Sequence, residues 1–177
     1  MKRIYWGGFL SLLFLSAAFA ANEQVLKPSL ILNHLKVAAP HTQAGDELYF
    51  DITAFWADKP RKYYQVPKPP KYWASIESDK INSVSLWSEP VKPGQVVILL
   101  ISLMDIDVLP MNPDDMLGII RVRLKNVDGV LHATWSIPNR SVGPETIMGQ
   151  TGDIQKFELS GASGKYEVYL SLKNQIN

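Results

Sequence analysis

Apolar and polar residues alternate with a period of two through most of this chain. In "ELYFDITAF", Leu48, Phe50 and Ile52 fall on one side, and Tyr49, Asp51 and Thr53 on the other. "IIRVRL" sets Ile120, Val122 and Leu124 against Ile119, Arg121 and Arg123, and "GVLHATWSI" aligns Leu131, Ala133 and Trp135. "KYEVYLSL" sends Tyr166, Val168, Leu170 and Leu172 one way. Successive side chains of a strand point to opposite faces, so each run predicts a half-buried strand. "QVVILLISLM" is apolar at nearly every position, which suits a central strand covered on both faces, although a short buried helix has the same pattern. "SLILNHLKV", "SVSLW" and "KFELS" are shorter strand candidates.

Turn formers separate these runs at "KPGQ", "NVDGV", "PNRSVGPE" and "GASGK". About eight short strands at this spacing predict an all-β fold, an antiparallel two-sheet β-sandwich. One region breaks the alternation. Trp56 to Trp73, "WADKPRKYYQVPKPPKYW", holds four prolines, five basic residues and five aromatics. Proline removes a ladder donor, so a long surface loop is expected here. Lys59, Arg61, Lys62, Lys68 and Lys71 interleave with Tyr63, Tyr64, Tyr72 and Trp73. That mixture suits contact with an anionic membrane surface or a partner, or a lid whose aromatics fold back on the sandwich.

The first twenty residues are expected to lie outside the fold. Lys2 and Arg3 precede an apolar run that ends in Ala18-Phe19-Ala20, the layout of a cleaved secretory signal peptide. Residues 21–177 then form a single exported domain, periplasmic or secreted. Removal of Lys2 and Arg3 changes the formal charge from +1 to −1, and a near-neutral exported chain is no nucleic-acid binder. The chain has no cysteine. Disulfides, thiolate metal sites and a cysteine nucleophile are thereby excluded.

Charge of one sign is concentrated in "LMDIDVLPMNPDDMLG", which holds Asp105, Asp107, Asp114 and Asp115 and no base. Asp105 and Asp107, two apart, share a side in extended backbone, and a strand–loop–strand would return Asp114 and Asp115 beside them. Converging carboxylates repel unless a cation compensates. Ca²⁺, with six to eight oxygen ligands in flexible geometry, fits better than Mg²⁺ or the nitrogen- and sulfur-seeking Zn²⁺. This is no EF-hand loop: counted from Asp105, the required glycine is Pro110 and the terminal glutamate is Met116. Asp and Asn are also ordinary turn residues, so on these residues alone a cation site and a polar turn both stand.

"ILLISLMDIDVLPMNPDDMLGIIRVRL", Ile98–Leu124, resembles the later half of a C2 domain, the calcium-dependent membrane- and protein-binding β-sandwich family. There an apolar strand ends in Asp-x-Asp, further acids follow a short loop, and a hydrophobic-Gly pair opens the next strand. Asp105, Asp107, Asp114 or Asp115, Leu117 and Gly118 match in turn. The resemblance implies a C2-like sandwich with Ca²⁺ held by these aspartates. The family's earlier acidic loop is replaced here by "PKPPKYW", so the resemblance implies one cation; Asp58 is a further candidate ligand.

No catalytic constellation is evident. His34, His41 and His132 are scattered, no nucleophile elbow occurs, and "GASGK" lacks phosphate-loop spacing. The expectation is a non-enzymatic binding module. The alternatives are a cation-independent interaction protein (structural subunit, inhibitor or effector) and a glycan-binding or glycan-hydrolysing sandwich.

Overall fold

The computed structural model describes residues 24–40, 43, 45–107, 113–138, 146–149, 151–161 and 164–175. The expected signal peptide, Pro110 and residues 139–145 of the "PNRSVGPE" stretch lie outside the described residues. Among the described residues eleven strands follow one another: β1 (Lys27–Ala39), β2 (Glu47–Trp56), β3 (Lys62–Val66), β4 (Trp73–Ala74), β5 (Asn82–Ser88), β6 (Val96–Asp105), β7 (Asp115–Val127), β8 (Val130–Ser136), β9 (Thr146–Gly149), β10 (Gln155–Gly161) and β11 (Gly164–Gln175). A short 3-10 helix, Ser75–Lys80, links β4 to β5. The strands make a four-stranded sheet in the order β10-β11-β1-β5 and a seven-stranded sheet in the order β3-β2-β6-β7-β8-β9, with β4 paired to β2. All pairings are antiparallel.

The two sheets bury the faces that the alternation marks. Leu48, Phe50 and Ile52 of β2, Ile120, Val122 and Leu124 of β7, and Val168 and Leu170 of β11 are fully shielded from water. Full burial of each such side chain stabilises by about 1.5–3 kcal/mol, so these faces hold the sandwich together. Arg121, Arg123 and His132 point the other way and are exposed. The expected β-sandwich is therefore the observed fold.

Three features differ from the sequence expectation. The Trp56–Trp73 segment is not one loop, because it contains β3 and the start of β4. Its prolines, Pro60, Pro67, Pro69 and Pro70, flank Lys62–Val66 and leave five consecutive residues free to pair with β2. Second, β6 is central but covered on one side only: Val97, Leu99, Ile101 and Leu103 are buried, and the intervening residues are half-buried beside neighbours such as Phe55 and Arg123. Third, β9 lies at the end of a turn-rich stretch and is too short to show a period.

Polar pins fix the ends of the sheets. Asn126, fully buried, donates through Nδ2 to the carbonyls of Gln24 (2.9 Å) and Val91 (3.0 Å), and its Oδ1 accepts the Gly129 N–H at 3.1 Å. One side chain thus ties the N-terminal lead, the β5–β6 connection and the β7–β8 turn. Between the sheets, the Tyr166 hydroxyl donates to Asp46 at 2.6 Å, both groups being buried. The sheets approach closely where β7 meets β10. A Cβ on Gly161 would stand 2.5 Å from the Leu117 carbonyl oxygen, and one on Gly118 would stand 2.8 Å from Leu159 Cβ.

Loss of the Asn126 amide leaves buried partners unsatisfied, which costs about 1–3 kcal/mol. Asn126→Ala is expected to lower the unfolding free energy by about 2 kcal/mol in urea titration with an unchanged slope. A midpoint equal to that of the wild type would show that the pin is not stabilising.

Candidate functional site

The register of β2, β6 and β7 places the four aspartates. Asp105 ends β6, opposite Leu48 on one side and Asp115 on the other. The residue is 4% exposed, and its Oδ1 accepts the Glu47 N–H at 2.8 Å. The Ile106 N–H returns to the Glu47 carbonyl at 2.9 Å, so pairing continues past the end of the strand. Beyond it, the Asp107 N–H donates to Asp114 Oδ1 at 3.2 Å. Asp114 Oδ2 accepts the Tyr49 hydroxyl at 2.7 Å. Asp114 therefore clamps both ends of its loop to β2. Asp107 Oδ2 is shut off from water and meets no donor among the described residues.

The structure thus brings Asp107 and Asp114 together and sets Asp105 across the ladder from Asp115. Among the described residues no group of three or more His, Asp or Glu side chains is arranged to hold a metal ion. A buried carboxylate oxygen without a donor is unfavourable unless a cation or proton meets it. With Asp114 held to its main-chain N–H, Asp107 offers that oxygen to one hard cation, which would complete its shell from main-chain oxygens and water. Asp58 is not part of this end. It accepts from Gln95 Nε2 at 3.0 and 3.1 Å, just before β6 begins, at the opposite end of that strand from Asp105.

Sequence reasoning passes over Tyr49, which the alternation assigns only to the polar face of its strand. Its phenol is held well above the usual range, first by burial and then by the hydrogen bond to Asp114 and that residue's charge. Burial also raises the neighbouring Asp51 carboxyl.

The basic and aromatic residues divide between the two ends of β2. Lys59 Nζ lies 4.0 Å from the Trp56 ring centroid and Lys62 Nζ 5.8 Å from it, and Arg61 stacks over Tyr63 at 5.3 Å. This cluster sits at the end of the sheet away from Asp105, because Trp56 pairs with Val97 while Leu48 pairs with Asp105. Trp73, by contrast, pairs with Leu48, one strand from Asp105, and packs edge-on against Phe50 at 6.2 Å. Lys68, Lys71 and Tyr72 are exposed on the segment that leads back to it.

A second unforeseen residue is Glu89, just after β5. It accepts from Lys62 Nζ at 2.7 Å and from the Tyr64 hydroxyl at 2.8 Å, and so bridges the outer strands of the two sheets. The Lys62 ammonium holds the Glu89 carboxyl below its usual range. Burial, with Glu89 second, pushes the Tyr64 phenol up to about 12.

No family model matches the sequence, and no curated protein matches it. Among solved structures, a C2 domain of plant extended synaptotagmin 1 matches over 86% of this chain and 97% of that domain, at 13% identity and a TM-score of 0.38. The chain is similar to a C2 domain. Human group IVD cytosolic phospholipase A2, solved with methyl gamma-linolenyl fluorophosphonate, matches over 84% of this chain at 8% identity and a TM-score of 0.35. This chain spans 33% of that enzyme.

The Tyr64–Glu89 bridge has a defined pH dependence. An unfolded tyrosine titrates near 10, whereas Tyr64 titrates at about 12. Because the folded pKa is raised, the bridge's contribution is complete below about pH 10 and is lost as pH rises to about 12. Urea midpoints measured from pH 8 to 12 are expected to fall above pH 10, and to fall less steeply in Tyr64→Phe. Parallel curves for the two proteins would rule out this linkage.

Proposed function

We propose that this chain is an exported, non-enzymatic binding module whose acidic end takes one Ca²⁺ ion between Asp107 and Asp114. The observation that carries the proposal is Asp107 Oδ2, a carboxylate oxygen shielded from water and without a donor among the described residues, on a residue whose main-chain N–H is bonded to the Asp114 carboxylate. The ion would neutralise that pair and tie the two ends of the loop. Asp105 keeps a structural role, since its Oδ1 is committed to the Glu47 amide. The ordered end then meets a membrane surface or a protein partner, with Lys68, Lys71, Tyr72 and Trp73 on the neighbouring segment. Export rests on Lys2, Arg3, the apolar run and Ala18-Phe19-Ala20.

A cation-independent interaction module is the alternative. One observation favours it: both Asp114 oxygens already accept hydrogen bonds within the protein, from Asp107 N–H and Tyr49 O–H.

Thermal melting in Ca²⁺ and in chelator separates the two. Saturating Ca²⁺ is expected to raise the melting temperature by about 5 °C or more. Asp107→Asn is expected to remove that rise. An unchanged melting temperature in Ca²⁺ would refute the cation and leave the cation-independent module.

A further inference from the structure

β3 and β5 are the outer strands of their sheets, and they lie on the same side of the sandwich. Two cavities lie in succession along β5 and form a trough walled by β3 over one half and by β4 and the 3-10 helix over the other. The larger, about 410 Å³, lies between Tyr64, Val66 and Pro69 on one wall and Ser85–Ser88 on the other. The smaller, about 210 Å³, continues past Trp73 and Val84 toward the 3-10 helix. The outer edge of β5, seven residues long, pairs with no strand among the described residues. This edge presents main-chain donors and acceptors to whatever enters the trough, in a row interrupted by the bulge between Ser85 and Trp87 and by Ser83 at φ 53°.

Three further observations describe what would enter. Tyr63 and Tyr72 remain 59% and 47% exposed beside the trough, although both are large aromatics. The Trp87 indole lines the trough. Trp87 is 2% exposed, so it closes the floor of the larger cavity with an apolar surface. The positive charge of the rim is uncompensated in one place. Lys62 pairs with Glu89 and Lys80 pairs with Glu77, each at 2.7 Å, but Lys68 and Lys71 make no ion pair among the described residues.

We infer that this trough binds an extended, acidic peptide segment of a partner protein, which adds to β5 as a further strand. The main-chain edge of β5 supplies the ladder. Apolar side chains on one face of the added strand enter between Val66 and Trp87. An acidic side chain at its middle reaches Lys68 and Lys71. The inference rests on the binding-module reading but not on the cation, because the trough lies between the sheet edges and uses none of the four aspartates.

The test is selection of random seven-residue peptides displayed on phage against the purified protein in chelator. Selected peptides are expected to alternate apolar with polar residues and to carry an acid. The best, as a free synthetic peptide, is expected to protect amides of Asn82–Ser88 from hydrogen exchange. N-methylation at successive positions of that peptide is expected to abolish binding at alternate residues only, since a strand turns every second N–H toward its partner. Lys68→Glu is expected to weaken binding about tenfold, the scale of one reversed charge contact. Failure to select any peptide, or a peptide that tolerates N-methylation throughout, overturns the inference. A trough that retains soluble oligosaccharides and no peptide overturns it equally. Binding that persists in chelator while Ca²⁺ leaves the melting temperature unchanged removes the cation alone.

Discussion

The hydrogen bond from the Glu47 amide to the buried Asp105 carboxylate sets the geometry of the acidic end. A charge-assisted bond of this kind, out of water, is stronger than a neutral one and costly to break. It locks the first residue of β2 to the last residue of β6. A one-residue slip between these strands would turn Leu48, Phe50 and Ile52 outward, so the bond and the core enforce the same register. Once Leu48 stands opposite Asp105, Tyr49 is carried beside the loop and can receive Asp114. The Asp107 N–H in turn reaches Asp114.

This division of labour explains why four acids in one short stretch do not behave alike. Asp105 is spent on the backbone, Asp114 on holding the loop shut, and Asp115 stands in the ladder. Asp107 is left with an oxygen that meets no donor among the described residues. The outer edges of the sandwich show a comparable economy. Lys62, Tyr64 and Glu89 close one end of the gap between β3 and β5, while the rest of that gap stays open along β5. Natural sheets usually blunt such edges with charge or proline. Pro67 and Pro90 do so at the ends of these strands; Asn82–Ser88 contains neither and carries instead a bulge between Ser85 and Trp87.

The sandwich was legible in the sequence because burial follows the period-two pattern closely in β2, β7, β8 and β11. Leu117–Gly118 was legible as the opening of β7, and the structure supplies the reason: Leu117 is buried, and the absence of a Cβ at Gly118 admits Leu159. The Asp-x-Asp and Asp-Asp pairs were legible as the exit of β6 and the entry of β7. Their separate roles were not, since these depend on Glu47 and Tyr49, more than fifty residues earlier in the chain. The proline-rich segment misleads for a local reason. Its prolines read as breakers over the whole stretch, whereas their spacing leaves Lys62–Val66 intact. The trough was beyond reach, because it exists only where the edges of two sheets meet.

Calorimetric titration of Ca²⁺ into the wild-type protein, Asp105→Asn and Asp107→Asn tests most directly whether the acids divide as described. Asparagine at position 105 can still accept the Glu47 N–H through its carbonyl oxygen, so this variant removes charge while keeping the latch. The expected result is one ion per chain in the wild type, near-wild-type affinity in Asp105→Asn, and no binding in Asp107→Asn. Two or more ions per chain, or equal loss of affinity in both variants, would contradict the account.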